Sequence, residues 1–124
     1  MRYAISGSCT DAISAMGDAT KAKNLLGKNI TTGRVLWLRN AHFYDASGAQ
    51  TVQLYDVTQD TAKTAGSLII NIPCASGRLT MVEFPPPGLK FSTGCCAILD
   101  ATASTGVSGA FPVEAIGGSG YEEA

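Results

Sequence analysis

The single histidine, His42, and a scatter of aspartates are the side chains of this chain best suited to acid–base chemistry. A Ser-His-Asp arrangement would have to use His42 as its base, yet no Gly-x-Ser-x-Gly elbow exists to present a nucleophile. Asp45, Asp56, Asp60 and Asp100 could in principle pair as acid and base, as carboxylates do in glycoside hydrolysis. All four fall in or beside turn signals, where aspartate caps local backbone donors, and that is the role expected of them. Cys9, Cys74, Cys95 and Cys96 include no Cys-x-x-Cys pair, and one histidine cannot complete the usual zinc sets at these spacings. Adjacent residues on a strand point to opposite faces, so Cys95 and Cys96 cannot share one core or one metal. Buried free thiols are expected. The glycines of Gly117-Gly118-Ser119-Gly120 precede no helix and match neither phosphate-binding spacing. Neither catalytic residues nor a metal or cofactor are therefore expected.

Binding chemistry is equally sparse. Trp37, Tyr44 and Tyr55 do not interleave with a basic run, and a formal net charge of −1 lacks the footprint that phosphate backbones require. No nucleic-acid partner is expected. Exposed rings at these three positions would instead suit a carbohydrate- or surface-binding module. Lys21, Lys23 and Lys28 form a mild basic cluster, read as a solvated face, with an acidic partner as the sharper alternative.

The elements that would position these residues read mainly as strands. The sequence predicts strands over 34–39, 51–56, 67–73, 79–84, 95–99 and 110–116, with a short edge piece over 89–92. Loops are expected over 41–50 and 57–66, and a turn over 75–77. Pro85, Pro86 and Pro87 fix φ and offer no backbone donor, so their corner belongs at a sheet edge or between sheets. Strands at intervals of about 8–15 residues, without intervening helices, indicate an all-β antiparallel sandwich or jelly roll of about six to eight strands. Residues 1–28 are left as an N-terminal arm or a short helix, Thr10-Asp11 being a possible cap for an apolar face of Ala12, Ile13, Ala15, Met16 and Ala19. Residues 29–116 are expected to form the sandwich, and 117–124 a flexible tail that frays unless Tyr121 anchors it.

At 124 residues and 45% apolar content, the chain can bury one ordinary core. Charged residues make up only 15%, below the roughly 25% usual for globular domains, and 14 glycines add to a surface of small neutral groups. Such a surface suits close packing against other proteins. The N-terminal residues make a poor secretory signal, and no segment approaches the ~20 apolar residues of a membrane helix, so a soluble chain made in a cytoplasm is expected, with no membrane partner. The sequon Asn29-Ile30-Thr31 is read as coincidental.

Several of these segments, taken in order, carry a resemblance. They are Gly33-Arg34-Val35-Leu36-Trp37-Leu38-Arg39-Asn40-Ala41, then Leu54-Tyr55-Asp56, then Leu68-Ile69-Ile70-Asn71-Ile72-Pro73. Next come Pro87-Gly88-Leu89-Lys90-Phe91-Ser92-Thr93-Gly94 and the run Ala101-Thr102-Ala103-Ser104-Thr105. Over about residues 29–116 the chain resembles the small β-sandwich accessory proteins of tailed-bacteriophage virions, of the head-decoration or cement kind. The vicinal Cys95-Cys96 departs from that pattern, where a small or aliphatic pair is usual. The resemblance implies a structural virion protein without catalytic residues, bound to the major capsid protein or other virion subunits and found in the virion. It further implies a homo-oligomer, a trimer by the symmetry of such shells. A tail, baseplate or head-fibre component is the related alternative. The expected contact residues are Asp45, Ser47 and Gly48 in the first loop, Pro85, Pro86 and Pro87 in the corner, and Tyr121 near the end.

Overall fold

A computed structural model describes residues 1–9, 22–45, 50–61, 67–74, 78–100 and 116–124. Nine strands run through them: β1 (Arg2–Ser8), β2 (Lys23–Asn24), β3 (Val35–Asp45), β4 (Gln50–Asp56), β5 (Leu68–Cys74), β6 (Arg78–Glu83), β7 (Leu89–Phe91), β8 (Cys95–Asp100) and β9 (Ile116–Glu123). One sheet has the order β1-β9-β3-β6, with β7 also paired to β3, and the other has the order β2-β8-β4-β5. Every pairing is antiparallel. The two sheets pack face to face as a β-sandwich.

Alternation explains the layers. On β3, Leu36, Leu38, Ala41 and Phe43 are buried, while on β4 Val52 and Leu54 turn to the same interior. Leu25, Phe91, Ile98 and Ile116 complete the set of large side chains that are fully buried. Each large apolar side chain removed from water in this way stabilises the fold by about 1.5–3 kcal/mol. Both faces of β8 are buried, since Cys95 and Cys96 point to opposite sides and neither is exposed. All four cysteines are buried and unbridged.

The edge opposite β9 on β3 has an unusual construction. Residues 40–45 of β3 pair with β6, and residues 36–38 pair with β7. β6 and β7 are therefore two halves of one edge strand, interrupted by the proline corner. The Phe84 N–H donates to the Arg39 carbonyl at 2.8 Å, and the Arg39 Nε–H donates to the Phe84 carbonyl at 3.0 Å. Gly88, at φ +106°, closes the excursion in a conformation that favours glycine. The prolines thus sit at a sheet edge, where their missing donors cost no ladder bond.

Several expectations are corrected here. Residues 117–124 are no flexible tail: β9 threads between β1 and β3 and pairs with both along most of its length. A Cβ at Gly118 would meet the Asn40 carbonyl oxygen, and one at Gly120 would meet that of Trp37. Glycine there serves close backbone approach, not looseness. Residues 2–8, left open between an arm and a helix, form an edge strand of the same sheet. Both chain ends thus belong to the sandwich. The expected 41–50 loop is strand as far as Asp45, because Ala41 and Phe43 continue the buried alternation. Ser47 and Gly48, the proposed helix over 12–19, the 75–77 turn and most of the 110–116 strand lie outside the described residues.

Candidate interaction surface

The outer face of the larger sheet gathers two of the expected contact sites. Register places Tyr121 of β9 opposite Trp37 of β3, and Trp37 opposite Lys90 of β7. The Arg2 guanidinium carbon lies 4.8 Å from the Tyr121 ring centroid, and Lys90 Nζ lies 5.9 Å from that of Trp37. The result is a row across β1, β9, β3 and β7 in which a pair of neighbouring rings is flanked by a cation on each side, each cation–ring contact contributing about 0.5–1 kcal/mol at an exposed site. The Tyr121 hydroxyl donates to the Pro87 carbonyl at 3.3 Å. Tyr121 therefore anchors the proline corner to the sheet, and Pro85, Pro86 and Pro87 all remain exposed. Trp37 Nε1 is buried and has no hydrogen-bond partner among the described residues.

Asp45 ends β3 in register with Arg78, at the opposite end of that strand from Trp37. The structure thus joins Tyr121 to Pro87 and leaves Asp45 apart from them. Sequence reasoning missed a second surface feature. Leu79 and Met81 of β6 are 56% and 72% exposed, and Tyr44, in register with Leu79, is 37% exposed. Leu68 and Ile69, at the start of β5, are 46% and 38% exposed. The sequence 78–83 is apolar on both parities, so its outward set could not be chosen before β6 was placed.

The residues considered for acid–base chemistry are used locally. Asp56 Oδ1 accepts the backbone N–H groups of Ser92, Thr93 and Gly94 at 3.0, 2.7 and 3.1 Å, fixing the crossing from β7 to β8. Asp60 accepts from Lys23 Nζ at 2.6 Å, which ties the β2 edge to the turn after β4. His42 lies on the other sheet from Asp56. Tyr55 is only 5% exposed and its hydroxyl donates to Gln53 Oε1 at 3.0 Å, so it cannot serve as a stacking platform. Trp37 is half-buried. Tyr44 is the most exposed of the three rings weighed for carbohydrate binding.

Glu122 is the one buried carboxylate among the described residues. Burial works against its charge, but the Thr31 N–H at 2.9 Å, the Thr31 hydroxyl at 2.8 Å and Arg34 at 3.3 Å outweigh it and hold the carboxyl below its ordinary 4.5. Arg34 also lies over the Tyr3 ring at 3.6 Å, so this cluster binds β1, β9 and the approach to β3 together. Burial pushes the Cys96 thiol up to about 12, with Cys9, Asp60 and Asp56 adding to it against Lys23, and raises Cys95 well above its ordinary 9.0 with help from Cys96 and Asp56. Both thiols are therefore protonated and weakly nucleophilic. Among the described residues no three His, Cys, Asp or Glu side chains stand together as a metal site.

No protein-family model matches this chain, and no curated protein or solved structure is significantly similar to it.

Proposed function

We propose that this chain is a structural virion subunit of the head-decoration kind, which docks on capsid subunits and stabilises the shell without catalysing a reaction. The observation that carries the reading is the exposed corner at Pro85, Pro86 and Pro87. It is held from one side by the paired Phe84 and Arg39 bonds and from the other by Tyr121. A contact loop fixed before it binds loses little conformational freedom on docking, which favours affinity from a small area. Among the described residues, the segments that carry the resemblance fall on β3, β4, β5 and the stretch from the corner to β8, and the run 101–105 lies outside the described residues. The partner is the major capsid protein or another virion subunit, and repeated copies on a symmetric shell add avidity to each contact.

Quantitative mass spectrometry of purified particles tests the reading. A decoration protein is present in many copies per head. A few copies at one site would assign the chain to the tail, baseplate or head fibre, and its absence from particles would refute the virion reading.

A further inference from the structure

We propose that the proline corner is read by an acidic segment of the partner subunit, whose carboxylates meet Lys90 and Arg39 beside the proline rings. The inference rests on the reading of the corner as the docking site, and it names the chemistry of what docks there.

Three of the four carbonyls from Phe84 to Pro87 are already engaged within the chain. That of Phe84 accepts from Arg39 Nε, that of Pro85 from the Gly88 N–H at 2.8 Å, and that of Pro87 from the Tyr121 hydroxyl. The three prolines bring no backbone donor. The corner itself therefore offers a partner mainly exposed proline rings. The polar chemistry beside it is cationic. Lys90, two residues past Gly88, is exposed, with its ammonium over the Trp37 ring. The Arg39 side chain passes close to Gly88, where an added Cβ would lie 3.0 Å from its Cδ. Among the described residues neither cation has a carboxylate within ion-pairing distance, whereas Arg2, Lys23 and Arg34 each have one. Glu83, the acid nearest the corner in sequence, is exposed and bridges neither.

This inventory selects the occupant. The Lys90 ammonium and the terminal amines of Arg39 are donors, while the acceptors beside them are mostly taken, so the partner must bring acceptors. A carboxylate suits both, meeting the guanidinium through directed hydrogen bonds and the ammonium as a point charge. A basic partner would meet like charge at both positions. A wholly apolar one would bury two cations unpaired, at a large desolvation cost. Two cations are too few to hold a phosphate backbone, which rewards many neutralised charges at once. The chain as a whole carries a formal net charge of −1, so attraction of an acidic segment depends on this patch and not on overall charge.

Titration of the full chain with octaglutamate, followed by fluorescence and by calorimetry, tests this. Trp37 is the chain's one tryptophan and lies under Lys90, so its emission reports on the patch directly. Saturable binding of octaglutamate is expected, and none of octaglutamine. Raising the salt from about 0.01 M to about 0.15 M shortens the screening length from about 30 Å to about 8 Å and should weaken binding at least ~3-fold. Lys90→Glu should raise the dissociation constant at least ~10-fold. Lys28→Glu makes the same change of net charge at an exposed position after β2 and should leave the constant within about 2-fold. Both lysines are exposed, so circular dichroism and Tm should stay unchanged in either variant. No saturable binding of octaglutamate, equal binding of octaglutamine, tighter binding of octathymidylate, or a Lys90→Glu chain that binds as well as Lys28→Glu would each overturn the proposal. No capsid component enters the measurement, so its failure is distinguishable from a failure to bind shells.

Discussion

Replacing Gly120 by Ala is the sharpest test of how this sandwich is built. Gly120 lies in β9 opposite Leu38 on one side and Ile5 on the other. The added methyl would meet the Trp37 carbonyl oxygen, with the Trp37 carbonyl carbon and the Leu38 Cα also close. All three are backbone atoms of a central strand, which cannot rotate aside as a side chain would. Overpacking a well-filled site costs about 1–3 kcal/mol, and a displaced β9 also weakens ladder bonds of about 1 kcal/mol each. We expect a loss of about 3 kcal/mol, or roughly 10 °C in Tm for a chain of this size. Urea unfolding should show a lower midpoint with an unchanged slope. Ser6→Ala, at an exposed position on β1, should stay within about 0.5 kcal/mol of wild type. A Gly120→Ala chain as stable as wild type would refute the threading of β9 between β1 and β3.

Three further outcomes are expected. Glu122 has a folded-state carboxyl below its ordinary 4.5, so its contribution is complete above that value and is lost as pH falls through the lower folded value. Glu122→Gln should cost about 2 kcal/mol at neutral pH and flatten the acid limb of a stability–pH curve, whereas an unaltered limb would deny the Thr31–Arg34–Glu122 cluster its role. Thiol labelling at pH 8 should be slow on the native chain and should reach all four cysteines after denaturation, and a native disulfide would contradict the buried free thiols. Tyr121→Phe should leave the fold intact, cost at most about 1 kcal/mol and weaken shell binding by loosening the corner, and unchanged binding would separate Tyr121 from that task.

Much of the fold was readable wherever apolar residues alternated between clear stops. Strands over 51–56, 67–73, 79–84 and 95–99 fall within about a residue of β4, β5, β6 and β8. The proline corner was readable because a missing donor is a chemical fact independent of tertiary context. β9 was not, since Gly117-Gly118-Ser119-Gly120 has the composition of a linker, and only the neighbouring carbonyls show why side chains are excluded. The second half of β3 was hidden by its wet face, where His42 and Tyr44 alternate with the buried Ala41 and Phe43. β1 was obscured in the same way, with only Tyr3, Ile5 and Gly7 turned inward. Of the expected contacts, Tyr121 and Pro87 proved to be bonded to each other, a link that 34 positions of separation conceal. The exposure of Leu79 and Met81 depends on which sheet edge β6 occupies, and no local pattern states that.

The central claim is that the rigid proline corner docks this chain on a viral shell. Co-sedimentation of the purified chain with heads stripped of accessory proteins tests it most directly. The account predicts that wild type pellets in many copies per head, while the exposed-site variant Pro85→Glu/Pro86→Glu, folded by circular dichroism, stays in the supernatant. Wild-type chain that remains wholly in the supernatant, or a variant that pellets equally well, would contradict it.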